Sequence, residues 1–259
     1  MKNILVLLFA LLCVRFSISI TRADWARTNG PFGGSIYSFT AMGGTVYAGT
    51  GGDGVYLSTD NGAHWEASGL SGLTVYSLDT AGANILAGTN AGVYLSSNNG
   101  ADWVAAGLTN LAIHSLTFSG KNIVAGAAGG LFSGGIYLSS DNGVHWDTTA
   151  ITNDGIHTFL NVGGIIFAGA DDGIYHSTDN GVHWDTTGLM HYGINSMIIS
   201  NSVIIAAVAS FDIFRSTDNG ASWTAASNGL VDGNINTLAA NGTLIFAAAD
   251  TGGGVCIVG

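Results

Sequence analysis

The side chains with the clearest chemical potential in this sequence are carboxylates and imidazoles at repeated spacings. Aspartate precedes histidine by four residues in Asp60 and His64, and the pair recurs. A carboxylate beside an imidazole can transfer protons or bind a metal ion. Other acids lie outside this pattern, and two carboxylates across a cleft are the groups that hydrolyse glycosides. The non-repeated acids taken as binding candidates are Asp53, Asp171, Asp172 and Asp232.

A second set of candidates occurs once per repeat, directly after an isoleucine or valine. Placed around one axis, these side chains can hold a small polar ligand, or they can bond each other and water. His114 and His157 are the best pair for a metal, but two ligands without a third seldom form a site. We therefore expect no metal and no cofactor. The candidate binding residues of this set are Tyr37, Tyr76, His114, His157, Asn195 and Asn236.

The elements that position these residues are indicated by a repeat. The stretch GIYHSTDNGVHWDTTGL from Gly173 has further copies that begin at Gly54, Gly92, Gly135 and, more loosely, Asp212. Each copy has a short β-type run, a polar turn with glycine, and a second run that starts at tryptophan, which predicts a hairpin. The repeated serines lie 38, 43, 38 and 39 residues apart, a period with room for four short strands.

The turn motif Ser-x-Asp-x-Gly-x-x-Trp resembles the Asp box, or BNR repeat, of sialidases, sortilin-type receptors, family 74 xyloglucanases and photosystem II stability factors. The resemblance implies a β-propeller in which the box residues are structural and lie away from the substrate face. His64, His145 and His183 repeat with the turn, so they are expected on separate blades and cannot converge on a metal. The box residues are Ser58, Asp60, Gly62, Trp65, Asn98, Trp103, Asp141, Trp146, Asp179, Trp184, Asp218 and Trp223.

Six inner-strand patterns but only five boxes occur in the sequence. The segment Ala23 to Gly30 resembles a box tryptophan with its outer strand, so Trp25 supplies the sixth equivalent tryptophan. We predict an all-β, six-bladed propeller of four-stranded antiparallel blades, with the N-terminal strand closing the last blade. The rival reading is a fragment of a longer propeller. The predicted blades span about 35–70, 73–108, 111–151, 154–189, 192–230, and 233–259 together with 24–30.

The first 23 residues are expected to be a secretory signal. Lys2 precedes an apolar run from Ile4 to Val14 that is too short to span a bilayer, and Cys13 fits a lipidation site poorly. The remaining chain, 24–259, has three basic residues against seventeen acidic ones, a formal charge of about −14. This charge disfavours nucleic acid and anionic membranes as partners. We expect an exported monomer, secreted, periplasmic or at the cell surface, without a transmembrane segment.

Sialidase activity is disfavoured by the residues themselves. The resemblance implies three arginines for the substrate carboxylate, yet the chain after residue 23 has only Arg27 and Arg215. A xyloglucanase-like hydrolase remains the alternative, with Asp171 or Asp172 paired with Asp53 or Asp232. The near-uniform blades and short loops favour a non-catalytic scaffold whose partner is an unknown protein or a glycan.

Overall fold

The chain folds into six antiparallel β-sheets that follow one another in sequence. The computed structural model describes residues 28–31, 34–128, 134–209, 212–227, 234–242 and 244–249, and the strand 255–258. All regular elements among the described residues are β-strands, and they form six sheets. The predicted all-β, six-bladed propeller is therefore confirmed. None of the described residues forms a helix of the length and hydropathy that crossing a membrane requires. Trp25, Asp232 and the predicted signal lie outside the described residues.

Each of the first three sheets has four strands, with the first strand innermost and the last outermost. The first sheet contains β1 (Ile36–Met42), β2 (Thr45–Thr50), β3 (Val55–Ser58) and β4 (Glu66–Gly69). The second contains β5 (Val75–Ala81), β6 (Asn84–Thr89), β7 (Gly92–Ser96) and β8 (Val104–Ala105). The third contains β9 (Ile113–Ser119), β10 (Asn122–Ala127), β11 (Gly135–Ser139) and β12 (Asp147–Thr152).

The last three sheets repeat this order, and the sixth has three strands within the described residues. The fourth sheet contains β13 (Ile156–Val162), β14 (Ile165–Ala170), β15 (Gly173–Ser177) and β16 (Asp185–Met190). The fifth contains β17 (Ile194–Ser200), β18 (Val203–Val208), β19 (Ile213–Ser216) and β20 (Thr224–Ala225). The sixth contains β21 (Ile235–Asn241), β22 (Leu244–Ala249) and β23 (Val255–Val258). The strands β12 and β16 each end one residue beyond the predicted blades.

The box forms the turn between the third and fourth strands of a blade. In the first blade the Ser58 hydroxyl donates to Asp60 (2.9 Å) and accepts the Gly62 amide (2.8 Å). The same Asp60 oxygen accepts the His64 amide at 2.9 Å. Asn98 replaces aspartate in the second blade, and its oxygen accepts the amide of Asp102 at 2.9 Å. The turn amides are thus satisfied locally, which is consistent with the structural role that the resemblance implies for the box residues.

Acid is expected to weaken these turns. The pKa of Asp141 is lowered from 3.8 to about 2, first by the backbone amide of His145 and then by its imidazole. A carboxyl whose folded-state pKa is depressed contributes stability above pH 3.8 that is lost as the pH falls through about 2. The variant Asp141→Asn should therefore lose less of its Tm than the wild type between pH 5 and pH 2. Equal losses of Tm in the two proteins would contradict this explanation.

Neighbouring blades share apolar clusters. In each of the following two junctions, the cluster includes the box tryptophan of the blade that comes later in the chain. Trp103 packs on the cluster of the first and second sheets, and its Nε1 donates to the Ser68 carbonyl at 2.7 Å. Trp146 does the same in the next junction, with the carbonyl of Ala106 at 2.6 Å. Of the five described box tryptophans only Trp184 is buried, and the others are half-buried. The indole lies across the outermost strand of the preceding blade, so one edge stays close to solvent.

The junction between the first and sixth sheets is less completely covered. Phe39 on β1 is 59% exposed, whereas its equivalents on β5 and β9, Leu78 and Leu116, are 8% and 5% exposed. Asn29 forms a parallel bridge with His64, in the box turn of the first blade. The bridge places the chain that follows Trp25 where the outer strand of a preceding blade would lie. Closure by residues 24–27, which lie outside the described residues, stays a prediction.

Candidate functional site

Every inner strand contains a β-bulge near its start. Ile36 pairs with Thr50 and Ser38 with Gly49, so Tyr37 is an extra residue without a partner on β2. The same register shift occurs in all six sheets. A bulge re-aims side chains and allows two successive residues to face one side of a strand. The six bulge residues are the six predicted ring residues, Tyr37, Tyr76, His114, His157, Asn195 and Asn236.

The inner strands surround a cavity of about 430 Å³ on the axis of the propeller. All six bulge residues line it, so the structure brings together the ring that the sequence predicted. The residue that follows each of them also lines the cavity, and all six of these are serine or threonine. Sequence reasoning missed this second ring, although the Ser or Thr after each ring residue was a visible signal. The hydroxyl ring consists of Ser38, Ser77, Ser115, Thr158, Ser196 and Thr237.

Blades one to three contribute an arc of aromatic rings to the cavity mouth. The rings of Tyr37 and Tyr76 lie edge to face, with centroids 5.5 Å apart. The rings of Tyr76 and His114 are 4.3 Å apart at an interplanar angle of 31°. Burial lowers the pKa of His114, and the nearby His157 lowers it further. His114 is therefore a neutral member of the arc at neutral pH.

Blades four to six contribute hydrogen-bonding side chains to the mouth. His157 Nε2 lies 2.7 Å from Asp171, and the other oxygen of that carboxylate accepts the amide of Gly155 at 3.1 Å. Asn195 donates its side-chain amide to the Ile235 carbonyl at 2.9 Å, which leaves its amide oxygen for another donor. Asn236 is exposed at the rim. The mouth is therefore aromatic on one half and polar on the other.

The predicted loop acids within the described residues lie in two different blades. Asp53 lies in the loop between β2 and β3 of the first blade, whereas Asp171 and Asp172 lie in the equivalent loop of the fourth. Asp172 pairs with His191 at 3.1 Å, on the outer side of that loop. Asp232, the remaining candidate, lies outside the described residues. Asp53 lies across the ring from Asp171 and Asp172, with two blades between them on either side, and its pairing with either acid stays a prediction.

A half-buried acid outside the set of candidate residues, Asp154, lies beside Asp171. The hydroxyl of Tyr175 donates to Asp154 at 3.0 Å. Burial raises the pKa of Asp154, the bond from Tyr175 lowers it, and the charges of Asp171 and Asp172 raise it. The pKa of Tyr175 is raised to about 12, first by burial and then by Asp154. This arrangement joins the connection between β12 and β13 to the strand β15, so no sequence spacing could have revealed it.

The lining of the cavity contains few metal-ligating or charged side chains. His114 stacks on Tyr76 and His157 bonds to Asp171, so the two imidazoles are engaged separately. No group of three or more His, Cys, Asp or Glu side chains suited to a metal occurs in the described part of the chain. Among the described lining residues Asp79 is the single carboxylate, and none is Lys or Arg. Its two oxygens accept the amides of Thr80 and Phe118 at 2.8 and 2.9 Å.

No family model matches the chain, and no curated protein matches it. Solved structures do resemble it. The GH74 xyloglucanase of Xanthomonas campestris matches with a TM-score of 0.69 and 16% identity over 85% of this chain and 44% of its own. The extracellular domain of BT4673 from B. thetaiotaomicron matches with a TM-score of 0.72 and 12% identity, over 89% of this chain and 32% of its own. YCF48 bound to D1 peptide matches with a TM-score of 0.61 and 18% identity, over 82% of this chain and 74% of its own.

These similarities concern the fold, because all three identities are below 20%. The chain spans less than half the length of the xyloglucanase and of BT4673. The similar structures are all β-propeller proteins and include an enzyme as well as a peptide-bound protein. The chain is thus a β-propeller, in agreement with the Asp-box resemblance of its sequence.

Proposed function

We propose that the protein is an exported, non-catalytic binding scaffold whose partner enters the mouth of the central cavity. The extracellular domain and the peptide-bound protein among its structural neighbours support this class of function. The apolar run after Lys2 and the strongly acidic remainder support export. The partner is a protein or a glycan, and the scaffold acts as a monomer.

The observation that carries the proposal is the chemistry of the cavity lining. Two rings of six hydrogen-bonding side chains, none of them a carboxylate, Lys or Arg, line one open space. The single described carboxylate there, Asp79, is held by two backbone amides and has no acidic partner in the described lining. Hydrolysis of a glycoside needs two carboxyl groups across the substrate, about 5–9.5 Å apart. A cavity built in this way is suited to holding a ligand rather than cleaving it.

One observation favours the alternative of a glycoside hydrolase. Burial raises the pKa of Asp154, which lies beside Asp171, and two carboxyl groups in different environments can divide the roles of acid and base. The position of both residues in the loops of one blade, beside the cavity, is compatible with a substrate lying across the top of the fourth blade. The Tyr175 hydroxyl would then hold the acid in place.

Turnover assays on a panel of soluble polysaccharides separate the two functions. We expect no release of reducing sugars by the wild type, and no difference for Asp154→Asn. Release that falls at least about a hundredfold in Asp154→Asn, in line with the loss of an acid–base group, would overturn the scaffold. Asp172→Asn is the matched control, because Asp172 adjoins Asp171 in the β14–β15 loop but pairs with His191 instead.

A further inference from the structure

The two halves of the cavity mouth differ in what they leave free for a ligand. Tyr76 is packed between Tyr37 and His114, so its ring faces are largely occupied. Tyr37 ends the arc and is 55% exposed, which leaves ring surface open to the cavity mouth. Next to it around the ring lie the exposed amide of Asn236 in the sixth blade and then the amide oxygen of Asn195 in the fifth. The mouth thus offers one aromatic surface beside hydrogen-bonding groups.

The polar groups of the lining are of the kind that both donate and accept. Hydroxyls and side-chain amides have this dual capacity, and they make up most of the two rings. The hydroxyl of Ser38 is buried and has no hydrogen-bond partner within the described residues. An ammonium group only donates hydrogen bonds, and a carboxylate only accepts them. Either group would therefore satisfy only some of the donors and acceptors of the lining. A polyhydroxyl compound matches it, because each of its hydroxyls donates and accepts as well.

Charge narrows the choice of ligand further. No Lys or Arg lies in the described lining, and the chain after residue 23 carries about −14. An anionic ligand would therefore enter against the field of the protein without a cation to receive it. The negative charge of Asp79 is already stabilised by two backbone amides, which reduces its demand for a cation. A neutral ligand meets neither difficulty.

The two rings are stacked along the axis, so a ligand that reaches both must enter end-on. The volume of about 430 Å³ lies within the range of small-ligand sites, about 300–1,000 Å³. We propose that the cavity binds the end of a neutral oligosaccharide, with one sugar ring stacked on Tyr37 and its hydroxyls bonded by Asn195, Asn236 and the ring of Ser and Thr. This inference rests on the proposed function and specifies its partner as a glycan.

Isothermal titration calorimetry with hexasaccharides tests the inference. The probes are neutral cellohexaose, mannohexaose, xylohexaose, maltohexaose and N-acetylchitohexaose, with hexagalacturonate as the anionic and glucosamine hexamer as the cationic counterpart. At least one neutral hexasaccharide is expected to bind, with little dependence on salt. The variants Tyr37→Ala and Asn236→Ala should each weaken that binding about tenfold, the loss of one stacking or hydrogen-bonding contact.

Tyr192→Ala is the matched control, because Tyr192 is also an exposed tyrosine of the upper loops but packs on Phe214 outside the cavity. Its affinity should equal that of the wild type. Binding of charged hexasaccharides alone, or of none, would overturn the inference, as would equal binding by Tyr37→Ala. Products found after incubation would instead contradict the non-catalytic function. A chain that binds no hexasaccharide and forms no product loses only the glycan assignment, and a polypeptide then becomes the partner to test.

Discussion

Replacement of Gly54 with alanine is expected to lower the free energy of unfolding by about 3 kcal/mol or more. Gly54 precedes β3 with φ of 79°, a conformation that costs an L-residue about 1–2 kcal/mol. A Cβ there would also lie 2.5 Å from the carbonyl group of Leu70 and closer still to the oxygen of Gly69. These are backbone atoms of the neighbouring strand and loop, so the blade must open to admit the methyl group.

Gly72→Ala is the control, because Gly72 has φ of 85° but no atom within 4 Å of its Cβ position. It should cost only the conformational part, about 1–2 kcal/mol. In a domain of this size each kcal/mol lowers Tm by about 2–4 °C, so thermal unfolding resolves the two variants. Equal losses would show that the close approach of the third and fourth strands contributes nothing.

The same position shows why the blades are not identical. Gly92, Gly135 and Gly173 occupy it in the next three blades, each with positive φ and close backbone neighbours. The fifth blade has Asp212 there, which is not among the positive-φ residues and bonds to Ser227 at 2.9 Å. Its outer strand β20 has only two residues. The repeat in the sequence therefore predicted the fold, and its departure at Asp212 replaces a positive-φ glycine with a residue held by a side-chain hydrogen bond.

The fold could be predicted from sequence because the chemistry of its turns is local. Ser58, Asp60 and Gly62 bond to one another within five residues, so the motif that holds the turn is visible in the chain. The five boxes and the six inner-strand patterns recur at a nearly constant period, and together they indicate the number of blades. The bond from Trp103 to Ser68, by contrast, joins two blades across 35 residues and cannot be read from the local motif.

The site could be predicted only as a set of equivalent positions. Alignment of the inner strands placed Tyr37 and Asn236 in one ring, and both line the cavity. A bulge, however, is an extra residue relative to the partner strand. It follows from the register that pairs Ser38 with Gly49, and the sequence does not reveal that register. For this reason the hydroxyl ring was missed. The contact of Asp154 with Tyr175 depends likewise on how the β12–β13 connection meets the strand β15.

Trp25→Ala is expected to destabilise the sixth blade, at the other end of the chain. The clusters of the first four junctions each include one box tryptophan, Trp103, Trp146, Trp184 or Trp223. The cluster between the fifth and sixth sheets includes no tryptophan among the described residues. Beside it lies a pocket of about 240 Å³ lined by Ile205, Ile213, Ala226 and Ile245, among others. Trp25, the sixth equivalent tryptophan, fits this place.

The geometry of the other junctions specifies what Trp25 would bond. Trp103 and Trp146 donate their Nε1 hydrogens to the carbonyls of Ser68 and Ala106, each three residues after the tryptophan of the preceding blade. The equivalent residue after Trp223 is Ala226, which lines the pocket. Truncation of a packed tryptophan to alanine costs about 3–5 kcal/mol. We expect a loss of that size in thermal unfolding, and faster hydrogen exchange in β21, β22 and β23.

Two controls make the result interpretable. Trp103→Ala removes a tryptophan whose contacts are described, so it sets the loss expected for a half-buried box residue. Val104→Ala alters its exposed neighbour on β8, at 61% exposure, and should leave Tm nearly unchanged. If Trp103→Ala lowers Tm while Trp25→Ala behaves like Val104→Ala, the N-terminal strand does not close the ring. Because Asn29 is already held beside His64, a loss at Trp25 would couple the first and sixth blades, and they would unfold together.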